Sequence, residues 1–307
     1  MIVGVLKEII DGENRVAVTP QTVKDLLKSN LEVHIQSGAG ELSLEAFNDY
    51  LVRENVTMTT GGALAGAGAH VTIDTTESLA KVDIGDADIV HTDTVKSHVN
   101  IETGVRAILA AGATPIVLGG DHSVNIPCIN AFSDEKPFHL VQIDAHLDFV
   151  DERHGVKYGH GNPMRRAAEK SYVTGLSQIG IRNVSSTAKD GYDDARRMGS
   201  DIQSVRQFRA SGVAGILDRI PADRRYYVTI DIDGFDPSIA SGTGTPSHGG
   251  FLYYEVLELL DGLTKRGTVI GVDLVEVAPD YDQSGSTTTL AAQVLLNFIG
   301  RIHHNRS

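Results

Sequence analysis

The strongest constraint on the fold is a series of short apolar segments that alternate with stretches of helical periodicity. These segments are rich in β-branched residues, and they read MIVGVL, EVHIQS, TPIVLGG, FHLVQID, LSQIGIR, RYYVTIDID and TVIGVDLVEV. Between them, apolar residues recur at helical spacing in TPQTVKDLLKSN, NIETGVRAILAAG and YYEVLELLDGLTKRG. Nearly continuous apolar strands that alternate with helices predict an α/β fold, in which a mostly parallel sheet is covered on both faces.

Polar residues follow four of the predicted strands, at the ends where parallel α/β sheets bind their ligands. Asp144, His146 and Asp148 alternate along VQIDAHLDF, so in an extended chain their side chains share one face. Two aspartates have the same spacing in YYVTIDIDGFD, and a histidine follows TPIVLGGD. The candidate metal ligands are therefore His122, Asp144, His146, Asp148, Asp231 and Asp233.

Charge balance indicates what these six residues would bind. Like charges that lie close together are costly unless they are compensated. Two divalent cations would cancel the charge of four carboxylates, and a carboxylate-rich set with two imidazoles suits Mn²⁺ better than a thiolate-preferring metal. Two ions about 3.5–4 Å apart share a bridging water and lower its pKa from ~15.7 towards ~7. The pattern therefore predicts a two-metal cluster that makes hydroxide at neutral pH.

Composition narrows the class of partner. The formal net charge is -13, from 40 acidic and 27 basic residues, which argues against nucleic acid or an anionic membrane as the main partner. No apolar run is long enough to span a bilayer, and the N-terminus lacks the shape of a signal peptide. The single cysteine, Cys128, has mostly apolar neighbours, which predicts a buried structural thiol and a reducing cytoplasm.

Several motifs resemble those of the ureohydrolases, the family that includes arginase and agmatinase. GGDHS, DAHLD and DIDGFDPSIASGTGTP resemble the three family signatures, and SQIGIR and DLVEVAPDYD resemble further segments, so that the likeness covers about residues 82–305. The resemblance implies a three-layer αβα domain, two Mn²⁺ per chain, and hydrolysis of a guanidino compound to urea and an amine by a metal-bridging hydroxide. It also implies a homo-oligomer, either a trimer or a hexamer.

The resemblance also implies a role for each candidate residue. Glu276, in LVEV, matches the glutamate that holds the substrate guanidinium, and a carboxylate accepts such a planar pair of donors bidentately. His160, in YGHGNPMRRA, matches a histidine that shuttles protons, which a departing amine needs. The metal ligands would be Asp144 and Asp231 bridging both ions, His122 and Asp148 on one ion, and His146 and Asp233 on the other.

The first part of the chain does not share this likeness. MIVGVLKEIIDGENRVAVTPQTVKDLLKSNLEVHIQSGAG resembles the N-terminus of alanine dehydrogenases and nicotinamide nucleotide transhydrogenases. The Gly-rich stretch 58–70 reads as a linker or loop, and it lacks the G-x-G-x-x-G fingerprint of a dinucleotide site. We therefore expect an atypical N-terminal βαβ segment over residues 1–80, packed on a ureohydrolase catalytic domain over residues 81–307.

The sequence is compatible with three classes of function. The leading interpretation is an agmatinase in polyamine metabolism, because the loop after DAHLD lacks the polar run with which arginases hold an α-carboxylate, and the acidic surface favours a dication. Guanidinobutyrase and proclavaminate amidinohydrolase-like activities stay open beside it. The second class is a metal-binding protein without catalysis, since the family's usual entrance segment is replaced. The third, a nicotinamide-dependent dehydrogenase, is favoured only by the N-terminus.

Overall fold

The computed structural model describes residues 2–5, 32–36, 57–59, 69–73, 81–184 and 186–305. Near the start of the chain, three parallel strands pair in the order β1 (Ile2–Val5), β2 (Glu32–Gln36) and β3 (Thr57–Thr59). The first two are the strands that MIVGVL and EVHIQS predict. The helix that TPQTVKDLLKSN predicts lies outside the described residues.

A larger sheet forms the centre of the described fold, with the strand order β5-β4-β6-β11-β10-β7-β8-β9. Its strands are β4 (Ala69–Ile73), β5 (Lys81–Asp86), β6 (Thr114–Leu118), β7 (Phe138–Ile143), β8 (Val173–Ile179), β9 (Ser200–Gln203), β10 (Arg225–Asp231) and β11 (Thr268–Val275). Within this described sheet, the six strands from β6 to β9 run parallel, whereas β4 is antiparallel to both of its neighbours.

Helices cover both faces of this sheet. They are α1 (Thr94–Ala110), α2 (Asn125–Asn130), α3 (Pro163–Ala168), α4 (Lys189–Arg197), α5 (Val205–Leu217), α6 (Tyr253–Arg266) and α7 (Ser286–His304). Apolar residues of α5, α6 and α7 contribute to one buried core, and those of α1 to α4 contribute to a second. The predicted three-layer α/β fold with a mostly parallel central sheet is therefore confirmed.

The burial of β7 shows why the central strands are apolar on both faces. Val141 and Ile143 belong to the first core, while Phe138 and Leu140 belong to the second. Alternate residues of a strand point to opposite faces, so a sheet between two helical layers needs apolar residues at nearly every position. Cys128 of α2 is buried in the second core, as predicted.

The interpretation of residues 58–70 as a linker is wrong at both ends of that stretch. Met58 and Thr59 lie in β3, and Ala69 and His70 lie in β4. Residues of β4 pair with β6 on one side and with β5 on the other, and such pairing satisfies backbone groups whatever the local composition. Among the described helices, none combines the length and the apolar composition that crossing a bilayer requires.

Candidate metal centre

The six candidate ligands meet at the carboxyl ends of neighbouring parallel strands. In the sheet, β6, β11, β10 and β7 are adjacent, and their carboxyl ends therefore lie side by side. His122 follows β6 in a short 3₁₀ turn, three ligands follow β7, and two stand at the end of β10. All six side chains are buried, from Asp144 at 0% exposure to His146 at 7%. The structure thus brings together every residue of the predicted metal set.

The ligand atoms form two groups that share Asp144. In the first group, His122 Nδ1 lies 3.2 Å from Asp144 Oδ2 and 3.2 Å from Asp231 Oδ2. In the second, His146 Nδ1 lies 2.9 Å from Asp233 Oδ2 and 3.6 Å from Asp144 Oδ1. Within each group all ligand atoms lie within 4.8 Å of one another. Asp144 therefore offers one oxygen to each of the two groups of candidate ligand atoms.

Asp148 and Asp231 complete the first group. Asp148 Oδ2 lies 3.1 Å from His122 Nδ1, which places this carboxylate beside the same point as Asp144 and Asp231. The second oxygen of Asp231, Oδ1, accepts a hydrogen bond of 2.8 Å from the Asp233 amide. In this arrangement Asp231 faces the first group, and its bridging role stays a prediction.

The donor atoms fit a divalent cation. His122 Nδ1 is buried and has no hydrogen-bond partner within the described part of the chain, although three carboxylate oxygens surround it. A buried nitrogen of this kind is costly unless its lone pair is used, and coordination to a metal would use it. Four carboxylates and two imidazoles are the ligand set that Mn²⁺ favours over softer metals.

The electrostatics of the cluster point the same way. Burial raises the pKa of Asp231 well above its usual value, and the charges of Asp233 and Asp144 raise it further. Burial together with the Asp144 charge raises the pKa of Asp148 to about 6. Burial also opposes the charged form of His122, but its three carboxylate neighbours outweigh burial and raise the imidazole pKa. The protein alone leaves excess negative charge in the site, which cations would compensate.

Glycine residues allow the close packing that positions Asp144. A Cβ atom on Gly180 would lie 2.7 Å from the Asp144 carbonyl oxygen and 2.7 Å from the Phe251 ring, and Gly180 has φ = 102°. A Cβ atom on Gly234 would lie 3.1 Å from the Asp144 amide nitrogen. Only glycine fits both positions without a shift of the backbone that carries Asp144.

Of the two other predicted site residues, Glu276 directly contacts the backbone of this cluster. Glu276 directly follows β11 and has a positive φ of 64°, and its Oε1 accepts a hydrogen bond of 2.8 Å from the His122 amide. Burial raises the pKa of this carboxyl, while the charge of His160 acts in the opposite direction. His160 is itself exposed. The half-buried carboxylate of Glu276 therefore lies beside His122 and within electrostatic range of the exposed His160 imidazole.

Arg182 is a residue near this site that was not identified from the sequence. Its Nη2 donates to the carbonyl oxygens of Asp233 at 2.7 Å and Ser247 at 2.5 Å, and the guanidinium also donates to four further carbonyls. Thr245, in the segment that Arg182 fastens, donates to Asp233 Oδ2 at 2.9 Å. The available signal was the position of Arg182 at the end of SQIGIR, directly after a predicted strand.

Comparison with known proteins gives two family matches. The model described as "Arginase family" matches residues 57–300, and the model described as "Alanine dehydrogenase/PNT, N-terminal domain" matches residues 4–83. The chain is 34% identical over 229 residues to the mitochondrial agmatinase of Gallus gallus, covering 73% of this chain and 67% of that protein. It is 37% identical over 225 residues to the guanidinopropionase of Pseudomonas aeruginosa, covering 71% and 70%.

Solved structures show the same likeness. The proclavaminate amidino hydrolase of Streptomyces clavuligerus superposes with a TM-score of 0.66 at 30% identity, covering 74% of this chain and 77% of that one. The agmatine ureohydrolase of Thermoplasma volcanium superposes with a TM-score of 0.64, also at 30% identity, covering 73% of each chain. Both predicted resemblances, at the N-terminus and over the remainder of the chain, are thus confirmed.

Proposed function

This chain belongs to the arginase family, and we propose on that premise that it hydrolyses agmatine to urea and putrescine with two Mn²⁺ ions. The general reaction class follows from the relatives: the chain is a hydrolase that acts on guanidino compounds. The observation that carries the proposal is the convergence of four buried carboxylates and two imidazoles at one edge of the sheet.

In this proposal, the six buried side chains hold the metal pair. His122 and Asp148 would hold one ion and His146 and Asp233 the other, with Asp144 and Asp231 between the two. The shared position of Asp144 and the paired groups around it support this assignment. A bound metal pair lowers the pKa of coordinated water, so that a nucleophile is present near neutral pH.

Glu276 would orient the substrate. Its carboxylate lies beside His122, where it can accept two N–H groups of a guanidinium as a planar pair and hold the central carbon over the metal ligands. Partial burial strengthens such a charged contact, because little water competes for it. The same carboxylate selects a cationic guanidinium over a neutral urea, which favours release of the product.

His160 would move protons at the mouth of the site. Attack on the guanidinium carbon gives a tetrahedral intermediate, which collapses by breaking one C–N bond. The leaving amine takes up a proton as that bond breaks, and an imidazole exchanges protons readily near neutral pH. His160 is exposed to water yet close enough to act on Glu276, and this position supports the assignment.

Two alternatives remain for the finer function. Relatives named guanidinopropionase and guanidinobutyrase favour a guanidino acid as substrate, whereas the net charge of -13 favours dicationic agmatine. A metal-binding protein without catalysis is the alternative from another class, because residues 4–83 match a different family at the side where the usual entrance segment would be.

Urea release tests the proposal. Purified protein loaded with Mn²⁺ would be offered agmatine, guanidinobutyrate, guanidinopropionate and arginine in parallel, and bound Mn would be counted on the same sample. We expect two Mn per chain and urea from agmatine. Urea from a guanidino acid alone would replace the substrate, and two bound Mn with no urea from any compound would contradict catalysis.

We also propose a cellular location and an assembly state. A cytoplasmic protein that assembles into trimers or hexamers agrees with a single buried cysteine and with the family resemblance. Several relatives are mitochondrial, so fractionation of the source cells is the direct measurement of location. Light scattering of the purified chain would give the number of subunits.

A further inference from the structure

A buried hydrogen bond fixes the side of the His122 ring that points away from the metal ligands. His122 Nε2 lies 2.9 Å from Thr229 Oγ1, and both residues are almost fully excluded from solvent. Thr229 stands on β10, two residues before Asp231, on the opposite side of the imidazole from the carboxylates. Which partner donates the hydrogen in this bond determines which ring nitrogen keeps a free lone pair.

Thr229 in turn contacts Asp273, a residue of β11 for which the described part of the chain shows no hydrogen bond to a candidate metal ligand. The Thr229 hydroxyl donates to Asp273 Oδ1, while Asn125 Nδ2 donates to Oδ2 at 2.7 Å and Tyr227 Oη donates to Oδ2 at 2.8 Å. Asp273 has 0% exposure, so these contacts replace water for both of its oxygens. If Thr229 donated towards His122 instead, Asp273 Oδ1 would lose its donor in a fully buried position.

Hydrogen counting then defines the state of the imidazole. A threonine hydroxyl has one hydrogen, and here it is used towards Asp273, so Thr229 can only accept from His122. His122 must therefore donate from Nε2, so that the neutral ring, the form that binds a metal, has its Nδ1 lone pair directed at the three carboxylates. We propose that Thr229 and Asp273 are positioning residues that hold His122 as the Nε2–H tautomer, the form that binds a metal through Nδ1. This inference rests on the metal-binding role proposed above.

Matched variants of Thr229 test the inference. Thr229→Val keeps the shape of the side chain and removes the hydroxyl, whereas Thr229→Ser keeps the hydroxyl. Metal-free protein would be titrated with Mn²⁺, with free Mn²⁺ followed by its EPR signal. We expect Thr229→Val to weaken one of the two sites about 10–100-fold, the usual effect of losing such a partner. The site that includes His146 should keep its affinity, and Thr229→Ser should bind like the wild type.

Asp273→Asn provides an independent variant. An amide in place of the carboxylate can donate to Thr229 and turn its hydroxyl towards His122, which would move the imidazole hydrogen to Nδ1. We expect the same single site to weaken as in Thr229→Val. Thermal unfolding of the metal-free variants shows whether each is folded, and a loss confined to one site distinguishes positioning from general destabilisation.

A measurement on the wild type keeps the test independent of the variants. Protein loaded with diamagnetic Zn²⁺ and labelled with ¹⁵N would be studied by NMR of the histidine rings, and we expect the His122 hydrogen on Nε2. A hydrogen on Nδ1, or wild-type affinity at both sites in Thr229→Val, would overturn the inference. Urea release takes no part in these readouts, so a failure of the proposed activity would be recognised separately.

Discussion

At the scale of single residues, we expect Asp144, which follows β7, and Glu276, which follows β11, to have separable roles. Asp144 offers one oxygen to each group of candidate ligands, whereas Glu276 accepts a hydrogen bond from the His122 amide. We expect Asp144→Asn to abolish both metal loading and urea release. Glu276→Gln should retain two Mn per chain and lower kcat/KM at least about 100-fold, because a buried charge pair with the guanidinium is lost.

Metal counting and urea release on the same preparations check this prediction. Glu152→Gln, which neutralises an exposed glutamate of the nearby loop, is the matched control and should keep full activity. Urea release from Glu276→Gln at the wild-type rate would remove Glu276 from the mechanism. A metal-free but active Asp144→Asn would remove the metal pair as well.

A buried histidine near the start of β7 links stability to pH. Burial, with a contribution from Arg224 and against one from Asp201, lowers the pKa of His139 from 6.5 to about 4. The unfolded chain therefore takes up a proton below pH 6.5 that the folded chain refuses until about pH 4. Stability from this group is complete above pH 6.5 and falls as the pH drops towards 4, by roughly 3 kcal/mol at ~1.4 kcal/mol per pKa unit.

Urea denaturation of metal-free protein between pH 7 and 4 measures this slope. His139→Gln, which keeps a polar group near Ser177, should lose stability less steeply over that range than the wild type. The exposed His154→Gln should behave like the wild type. Parallel curves for wild type and His139→Gln would contradict the assignment.

The six metal candidates could be recognised from the sequence because their signal is local. Each stands within a few residues of a predicted strand end, and parallel strands bring such ends together. Arg182 and Thr229 gave no comparable signal. Arg182 acts through backbone carbonyls of residues 233–235 and 247–248, and Thr229 acts through Asp273 on another strand. Contacts of that kind depend on tertiary pairing, which residue spacing does not reveal.

At the scale of elements, the Arg182 side chain joins two segments, the turn after β10 and the loop at Ser247. Arg182, three residues beyond β8, donates to carbonyls of the turn after β10 and of the loop at Ser247 and His248. The turn after β10 carries Asp233, and the loop is close to Thr245, which contacts Asp233. The position of the candidate ligand Asp233 therefore depends on a guanidinium whose hydrogen bonds within the described residues go to backbone carbonyls.

We expect Arg182→Met to destabilise the metal-free protein by about 3 kcal/mol or more, because several buried carbonyls lose a charged donor at once. It should also weaken Mn²⁺ binding at the group that contains His146 and Asp233. Chemical denaturation and Mn²⁺ titration measure the two effects. Arg209→Met removes an exposed arginine that donates mainly to Glu255, and it should change stability by less than about 1 kcal/mol. Equal effects of the two variants would contradict the role of Arg182.

At the scale of the whole molecule, we expect the proposed metal pair to contribute to stability. Four carboxylates converge in a buried site, and cations that bind only the folded state stabilise it by mass action, by about 4 kcal/mol at a thousand-fold excess over Kd. EDTA should therefore lower the Tm of the wild type, and added Mn²⁺ should restore it. Asp144→Asn should show no such response. Calorimetry with EDTA and with added Mn²⁺ measures these Tm values. A wild-type Tm that EDTA leaves unchanged would argue against a structural metal.

The sequence predicted the fold class of the whole molecule, but it did not reveal every strand of the central sheet. The central strands are apolar on both faces and stand out in the sequence, but β9 has only four residues, and β4 follows a Gly-rich stretch. Their place depends on pairing with distant strands. The division into residues 1–80 and 81–307 stays a prediction, and the two family matches overlap between residues 57 and 83.

Asp148 and Glu276 have a backbone conformation that glycine adopts more easily than they do, with φ values of 50° and 64°. Left-handed backbone costs an ordinary residue about 1 kcal/mol or more, so each of the two residues lowers the stability of the folded protein. A library sorted only for heat resistance in metal-free buffer should accumulate glycine or asparagine at these two positions. A lineage released from selection for catalysis should lose them early, and their retention among descendants would then serve as a record that the enzyme was still in use.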